Sequence, residues 1–349
     1  MRFHRYIATA GALGLACSLA GGPALAEPAD QGQTAAQPGE GIEAGDTAFV
    51  DTTVATLWGE PDQTRPMDEP STTNPVDLDQ WNKNMEKTED RGWLTGHTET
   101  QAVYGSEVSV IETKGDWSKV AVNDQSTPKD DRGYPGWVPT GQLIENQSFD
   151  EQKDSGQRAV VTSDKAALTG DSGEDGNNLN LSFNTELPVV SQDGSSVQVG
   201  LPNGGTGSVQ ATDVSVYAPG EKPERPTGEQ VVETGKQFDG LRYLWAGVSS
   251  YGYDCSGFTY SMYRAHGIVI PRDADAQAEF GQDVAEDDLQ PGDLLFFAQP
   301  GGTGAVHHVG MYMGDGKMIH APNESTTVSV TDWKQWDSKD EFSGAKRML

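Results

Sequence analysis

The sequence predicts an α+β domain preceded by two small all-β barrels, and three observations carry that prediction. Between Asp46 and Ile144, short β-like runs (VATLW, SEVSVIE, WSKVAV and GWVP) alternate with turn residues, the pattern of a small barrel. A weaker copy follows: TTVATLWGEP is echoed by SDKAALTGDSG, GSEVSVIET by NTELPVVSQD, DWSKVAV by SSVQVGL, and PGWVPTGQL by TGSVQATDV. Beyond residue 228 one helical pattern is followed by strand-like runs, which indicates an α+β domain.

A repeat of about 70–100 residues is too long for a solenoid unit and suits tandem barrels. The first barrel is expected over residues 46–149 and the second over 150–218. The first is interrupted by a helix between Asp77 and Thr88, where Leu78, Trp81 and Met85 recur at helical spacing. It also carries the longer loop: 15 residues separate Val122 from Val138, against 9 between Val199 and Val209. That loop contains Arg132, Gly133, Tyr134 and Pro135. The elaborated copy is therefore expected to recognise a ligand and the plain copy to act as a spacer.

A linker over 219–228 holds Pro219, Pro223 and Pro226, which favour extended backbone and bar a helix. In the last domain, residues 229–349, helical spacing runs from Cys255 to His266. Phe258, Met262 and Ala265 share one face, and Gly267 is placed to cap the end. After Pro291-Gly292-Asp293 come the strand-like runs LLFF, VHHVGMYM and KMIHA.

The N-terminus reads as an export signal. Arg2, His4 and Arg5 precede an uncharged stretch from Tyr6 to Ala20, and Ala24-Leu25-Ala26 supplies small residues for cleavage before Glu27. The apolar core is too short and too rich in Gly and Ala for a secure transmembrane span. Gly14-Leu15-Ala16 is a poor lipoprotein signal ahead of Cys17. A secreted or cell-envelope protein without stable membrane insertion is expected. Residues 27–45 hold almost no large apolar side chains and read as a flexible leader. Removing residues 1–26 takes away Arg2 and Arg5 and no acid, so the formal charge goes from −29 to −31. Such a surface repels nucleic acid and anionic lipid. A monomer is expected.

Once the signal is removed, Cys255 is the single cysteine, and a lone thiol outside the cell risks oxidation. It sits in Asp254-Cys255-Ser256-Gly257-Phe258, where the helix should begin. Free N–H groups and the dipole there are expected to lower the thiol pKa from about 8.5 and to receive an oxyanion. The alternative is a buried, inert cysteine. Polar Asp254 and Ser256, with Gly257 permitting close backbone approach, suit a site mouth better. His308 and His320 lie 53 and 65 residues downstream. A three-residue hairpin loop at Gly314-Asp315-Gly316 would pair Met313 with Lys317 and put Gly310 opposite His320, leaving both histidines on one face. A two-residue loop would turn His320 away. A nucleophile, a base and an orienting residue explain the set. Zinc is not expected, because neither C-x-x-C nor H-x-x-x-H occurs, and no cofactor is implied.

In that order, DCSGF, PRDADAQ, PGDLLFF, HVGMYMG and MIHAP resemble the NlpC-type cysteine peptidases of bacterial cell walls. The resemblance covers about 120 residues. It implies a papain-like fold, with Cys255 as nucleophile, His308 as base and His320 as the third polar residue. It also implies Tyr243, in RYLWAG, near the oxyanion and substrate. Upstream, TLWGEP, WNKNM, TETQAVYG, GDWSKV and RGYPGWVP look like the first SH3-like domain of the γ-D-glutamyl-L-diamino acid endopeptidases. The resemblance implies that this domain closes one end of the cleft. By this resemblance Glu99 and Tyr134 join Asp254 in binding the free amine of an N-terminal L-alanine; with Tyr243 and Ser256 they form the expected substrate-binding set. Ala274 stands where relatives often carry a serine, so 274 is left out.

The implied activity is hydrolysis of the γ-D-glutamyl–diamino acid amide in peptidoglycan stem peptides that begin with free L-alanine. Whether the third residue is diaminopimelate or lysine is left open. Two other readings stand beside it: a general endopeptidase or amidase on the same fold, and a wall-binding protein whose C-terminal domain is scaffold.

Overall fold

The computed structural model describes residues 37–170 and 179–349. The export signal, Cys17 and leader residues 27–36 lie outside them, as do the last three residues of SDKAALTGDSG. The first barrel is built from β1 (Thr47–Val50), β2 (Val54–Trp58), β3 (Thr98–Val103), β4 (Glu107–Lys114), β5 (Trp117–Val122), β6 (Tyr134–Pro139) and β7 (Leu143–Ile144). The order is β3-β2-β6-β5-β4-β1-β7. Alternation along β4 and β5 sends valines inward: Val108 pairs with Val122 and Val110 with Val120, and all four join the core.

The leader ends sooner than its composition suggests. Gly39 N–H bonds to Leu143 O at 2.7 Å, and Ile42 is 8% exposed within the first barrel's core. One isoleucine meeting an apolar face suffices to hold this stretch down, whatever its polar neighbours.

Between β2 and β3 lie α1 (Leu78–Asn84) and α2 (Thr88–Gly92), two short helices where one was expected. Asp77 caps α1 by accepting from Gln80 N–H at 2.8 Å. Trp81 is buried and its Nε1 donates to Asp68 Oδ1 at 2.8 Å. The apolar face of this insertion packs with Leu244, Trp245 and Tyr251 of the C-terminal domain. Helix α3 (Gln147–Ser155), which straddles the expected 149/150 boundary, sends Phe149 edge-on against Phe49 at 4.9 Å.

The second barrel comprises β8 (Arg158–Val161), β9 (Lys165–Gly170), β10 (Leu179–Ser182), β11 (Glu186–Gln192), β12 (Ser196–Gly200), β13 (Thr206–Gln210) and β14 (Val214–Tyr217). Its order, β10-β9-β13-β12-β11-β8-β14, repeats that of the first barrel strand for strand. The internal repeat is thus a repeat of topology.

The C-terminal domain opens with α4 (Gly228–Lys236), then a small ribbon of β15 (Val248–Ser249) and β16 (Gly252–Tyr253). Helices α5 (Cys255–Arg264) and α6 (Ala274–Ala278) follow. The remaining strands are β17 (Gln282–Val284), β18 (Leu294–Gln299), β19 (Ala305–Gly314), β20 (Lys317–His320), β21 (Ser329–Asp332) and β22 (Phe342–Arg347), with α7 (Trp333–Trp336) before the last. They form one antiparallel sheet, β17-β22-β18-β19-β20-β21. Phe258 and Met262 of α5 pack with Val309 and Met311 of β19 in one core, so the helix start sits against the middle of the sheet.

Candidate active site

Asp254 caps α5, its Oδ1 accepting from Gly257 N–H at 2.6 Å, and Cys255 is the first helical residue. A Cβ on Gly257 would stand 2.0 Å from Gly247 O, so only glycine lets that loop approach the first turn. The thiol is buried, at 9% residue exposure. Burial pushes Cys255 up to about 12, and Asp254 adds to the rise. Hydrogen bonds from Val309 and Ser256 backbone, with the Arg272 charge, pull the other way without prevailing. Desolvation therefore works against the low thiol pKa expected from the helix start.

The hairpin reaches the expected pairing by another route. Gly314 pairs with Lys317 across a two-residue loop, so Met313 does not, and a bulge between Tyr312 and Gly314 absorbs the extra residue. Met311 then faces Ile319, and Gly310 comes opposite His320, where a Cβ would lie 3.3 Å from His320 Cβ. His308 Nε2 meets His320 Nδ1 at 2.8 Å. His320 Nε2 in turn lies 3.2 Å from Thr331 Oγ1 on β21. The tautomer that leaves His308 Nδ1 able to take a proton has His308 Nε2–H donating to His320. His320 Nε2–H then donates to Thr331. Trp336 packs against both rings, tilted at 4.6 Å from His308 and edge-on at 5.1 Å from His320.

Burial holds His308 well below 6.5, helped by neighbouring His320 and His307, and burial brings His320 down to about 3. Burial thus favours the neutral forms of both the Cys255 thiol and the His308 imidazole, and a neutral His308 can serve as a base. His307 turns outward to Glu341 Oε2 at 3.1 Å, and His266 Nε2 bonds to Thr234 Oγ1 at 2.9 Å.

Asp254 is occupied on both oxygens. Arg272 Nη2 donates to Oδ2 at 2.7 Å and Nη1 to Oδ1 at 3.1 Å. Nη1 also reaches Ser256 Oγ at 3.0 Å, and Nε reaches Thr100 Oγ1 at 3.0 Å on the first barrel. Arg272 is 1% exposed, and removing one partner of such a pair costs about 3–5 kcal/mol. Asp254 and the Ser256 hydroxyl are thus held in this network. Within it Asp254 reaches Arg272, Ser256 and Gly257, and Arg272 stands between it and the neighbourhood of Tyr134.

The acid that does meet Tyr134 is Asp273, whose Oδ2 accepts from the Tyr134 hydroxyl at 2.8 Å. Glu99 stands beside them on β3, and Lys129 Nζ, from the loop between β5 and β6, lies 2.9 Å from Glu99 Oε2 and 3.5 Å from Asp273 Oδ2. Lys129 also donates to the Tyr134 hydroxyl. Burial, then the Asp273 charge, raises the Tyr134 phenol above its ordinary 10. Arg272 links this cluster to the thiol, because it pairs with Asp254 while its chain neighbour is Asp273. Tyr243 is buried too, and its phenol is raised by burial, then by the Cys255 and Asp254 charges. Sequence reasoning missed Arg272, Asp273, Lys129, Thr331 and Trp336. PRDADAQ carried the first two, and only spatial neighbours reveal the others.

Comparison with known proteins agrees with this architecture. The NlpC/P60 family model matches residues 240–347, and the YKFC SH3b2 domain model matches 161–217. A γ-D-glutamyl-L-lysine dipeptidyl-peptidase of Bacillus cereus is 45% identical over 86% of this chain and 91% of its own. One of Bacillus subtilis is 36% identical over 84% and 96%. The crystal structure of an NlpC/P60 family protein from Bacillus cereus superposes with a TM-score of 0.85 at 44% identity, covering 87% of this chain and all of that one. With a family model on the C-terminal domain and relatives matching across the barrels, this chain belongs to the NlpC/P60 family and is a cysteine peptidase.

Proposed function

We propose that the chain is an exported peptidoglycan peptidase that cuts the γ-D-glutamyl–diamino acid bond of stem peptides bearing a free N-terminal L-alanine. Cys255 attacks the γ-carbonyl while His308 takes the thiol proton. The Ser256 backbone N–H at the helix start receives the developing oxyanion, with Tyr243 close by. His308 then protonates the leaving amine and water clears the thioester. His320 holds the base in its working tautomer.

The observation that carries the substrate preference is the ammonium of Lys129 seated among Glu99, Tyr134 and Asp273. Two carboxylates and a phenol oxygen that accommodate one primary ammonium suit the α-amine of L-alanine. Asp273 joins Glu99 and Tyr134 in this role, with Asp254 next to it through Arg272. The names of the Bacillus relatives, γ-D-glutamyl-L-lysine dipeptidyl-peptidases, support the same bond and a lysine in the third position.

The test is hydrolysis of L-Ala-γ-D-Glu-L-Lys and of its N-acetylated form, with products identified by mass spectrometry. Glu99 and Asp273 keep 32% and 29% side-chain exposure, so solvent reduces the loss on acetylation. About 1.5–3 kcal/mol, or at least about tenfold in kcat/KM, is expected. Release of L-Ala-γ-D-Glu with that preference supports the reading; equal rates mean an open cleft, and a cut at a sugar–alanine amide means an amidase. Export is tested on the protein recovered from culture medium, whose first residue should be Glu27.

A further inference from the structure

The elaborated loop of the first barrel returns one of its own side chains to the amine site. Lys129 Nζ is 2.9 Å from Glu99 Oε2, 3.5 Å from Asp273 Oδ2 and 4.3 Å from the Tyr134 ring centroid, and it donates to the Tyr134 hydroxyl. These are the groups assigned above to the substrate ammonium. Glu99 Oε2, Asp273 Oδ2 and the Tyr134 oxygen already surround Lys129 Nζ, so a second ammonium bonded to the same three atoms would have to take its position, and the two compete.

We propose that Lys129 is a tethered occupant of the amine site, a specificity-determining residue whose ammonium is exchanged for that of the substrate. The inference rests on the amine-site reading and adds to it a competitor built into the chain. Exchange of one ammonium for another conserves the charge balance around Glu99 and Asp273. A peptide lacking that charge displaces Lys129 without replacing it. With 43% of its side chain exposed, Lys129 can swing into water, and its ion pairs are screened enough for the exchange to be cheap. Its backbone is steadied by N–H donation to Thr127 Oγ1 at 3.3 Å, so the side chain can move without the loop unfolding.

Two measurements test this. Lys129→Met should lower KM for L-Ala-γ-D-Glu-L-Lys about three- to tenfold with kcat within about twofold, and Lys129→Arg should stay near the wild type. In a Cys255→Ala background, adding the dipeptide L-Ala-γ-D-Glu should speed acetylation of Lys129 by an N-hydroxysuccinimide ester, read residue by residue by mass spectrometry. A KM that is unchanged or raised in Lys129→Met, or slower labelling on adding dipeptide, overturns the competitor role. If free tripeptide is still preferred over acetylated in that case, the amine-site reading stands and only Lys129 is reassigned. Equal rates on the two tripeptides in the wild type sink both.

Discussion

The two barrels share one strand order and have diverged in the insertions attached to it. The first carries α1 and α2 between its second and third strands, and eleven residues, 123–133, between its fifth and sixth. From it come Glu99, Lys129 and Tyr134, all beside Asp273. The second barrel joins its fifth and sixth strands through residues 201–205 and meets the C-terminal domain by packing. Phe183 enters that domain's core, and Asn184 Nδ2 donates to Ser261 O at 2.8 Å. Equal topology with unequal insertions separates what a barrel needs to fold from what it offers a ligand.

The largest effect should belong to neither barrel. Cys255→Ala is expected to lower turnover at least about a thousandfold while the melting temperature moves by only about 2 °C. Retention of a tenth of the activity would remove Cys255 from its proposed role. The contrast between barrels comes next. Glu99→Gln should cut the preference for free over acetylated tripeptide about tenfold and leave stability within about 0.5 kcal/mol. Asn184→Ala should do the reverse, costing about 1–3 kcal/mol of stability because the buried bond to Ser261 O is lost and alanine is strained at a φ of +66°, with kcat and KM within about twofold. If Asn184→Ala altered selectivity as much as Glu99→Gln, the division between the barrels would be wrong.

A smaller effect depends on pH and arises in the C-terminal domain. His320 is held near 3 in the fold against 6.5 in the unfolded chain. Below 6.5 the unfolded chain therefore binds a proton that the fold excludes. The stability from His320 is complete above 6.5 and is lost progressively as pH falls toward 3. Chemical denaturation at pH 7.5 and 5.5 should show His320→Asn losing less than the wild type, by up to about 1.4 kcal/mol. An equal loss in both proteins would show that His320 is not kept neutral by burial.

The smallest effect is expected at Thr331. Thr331→Val should lower kcat about threefold at constant KM, with Thr331→Ser restoring it, because the hydroxyl holds a tautomer and touches no substrate. Nitrogen NMR of His320 should show the Nε2–H form in the wild type and a mixture in the valine variant. A fully Nε2–H His320 in the valine variant would make the hydroxyl idle.

Several elements were legible because their signals are local. Leu78, Trp81 and Met85 marked a helix by spacing, VATLW and WSKVAV marked strands by alternation, and Gly267 marked the end of α5 with a φ of +72°. The echo of one barrel in the other was readable because a repeated topology leaves a repeated pattern of turns. Cys255, His308 and His320 stood out because a lone thiol and two histidines on one face are uncommon. The 2.8 Å contact between the two histidines still required the bulge beside Met313, and a bulge depends on how two strands meet.

By itself, then, the sequence determined the element types, the order of the barrels and the residue types gathered around the thiol. Tertiary structure alone decided that Asp254 pairs with Arg272, that Asp273 turns to Tyr134, and that the Cys255 thiol is raised. The reason is physical: spacing and capping act within a few residues. Desolvation and charge pairing depend on which surfaces, remote in the chain, are brought together to exclude water.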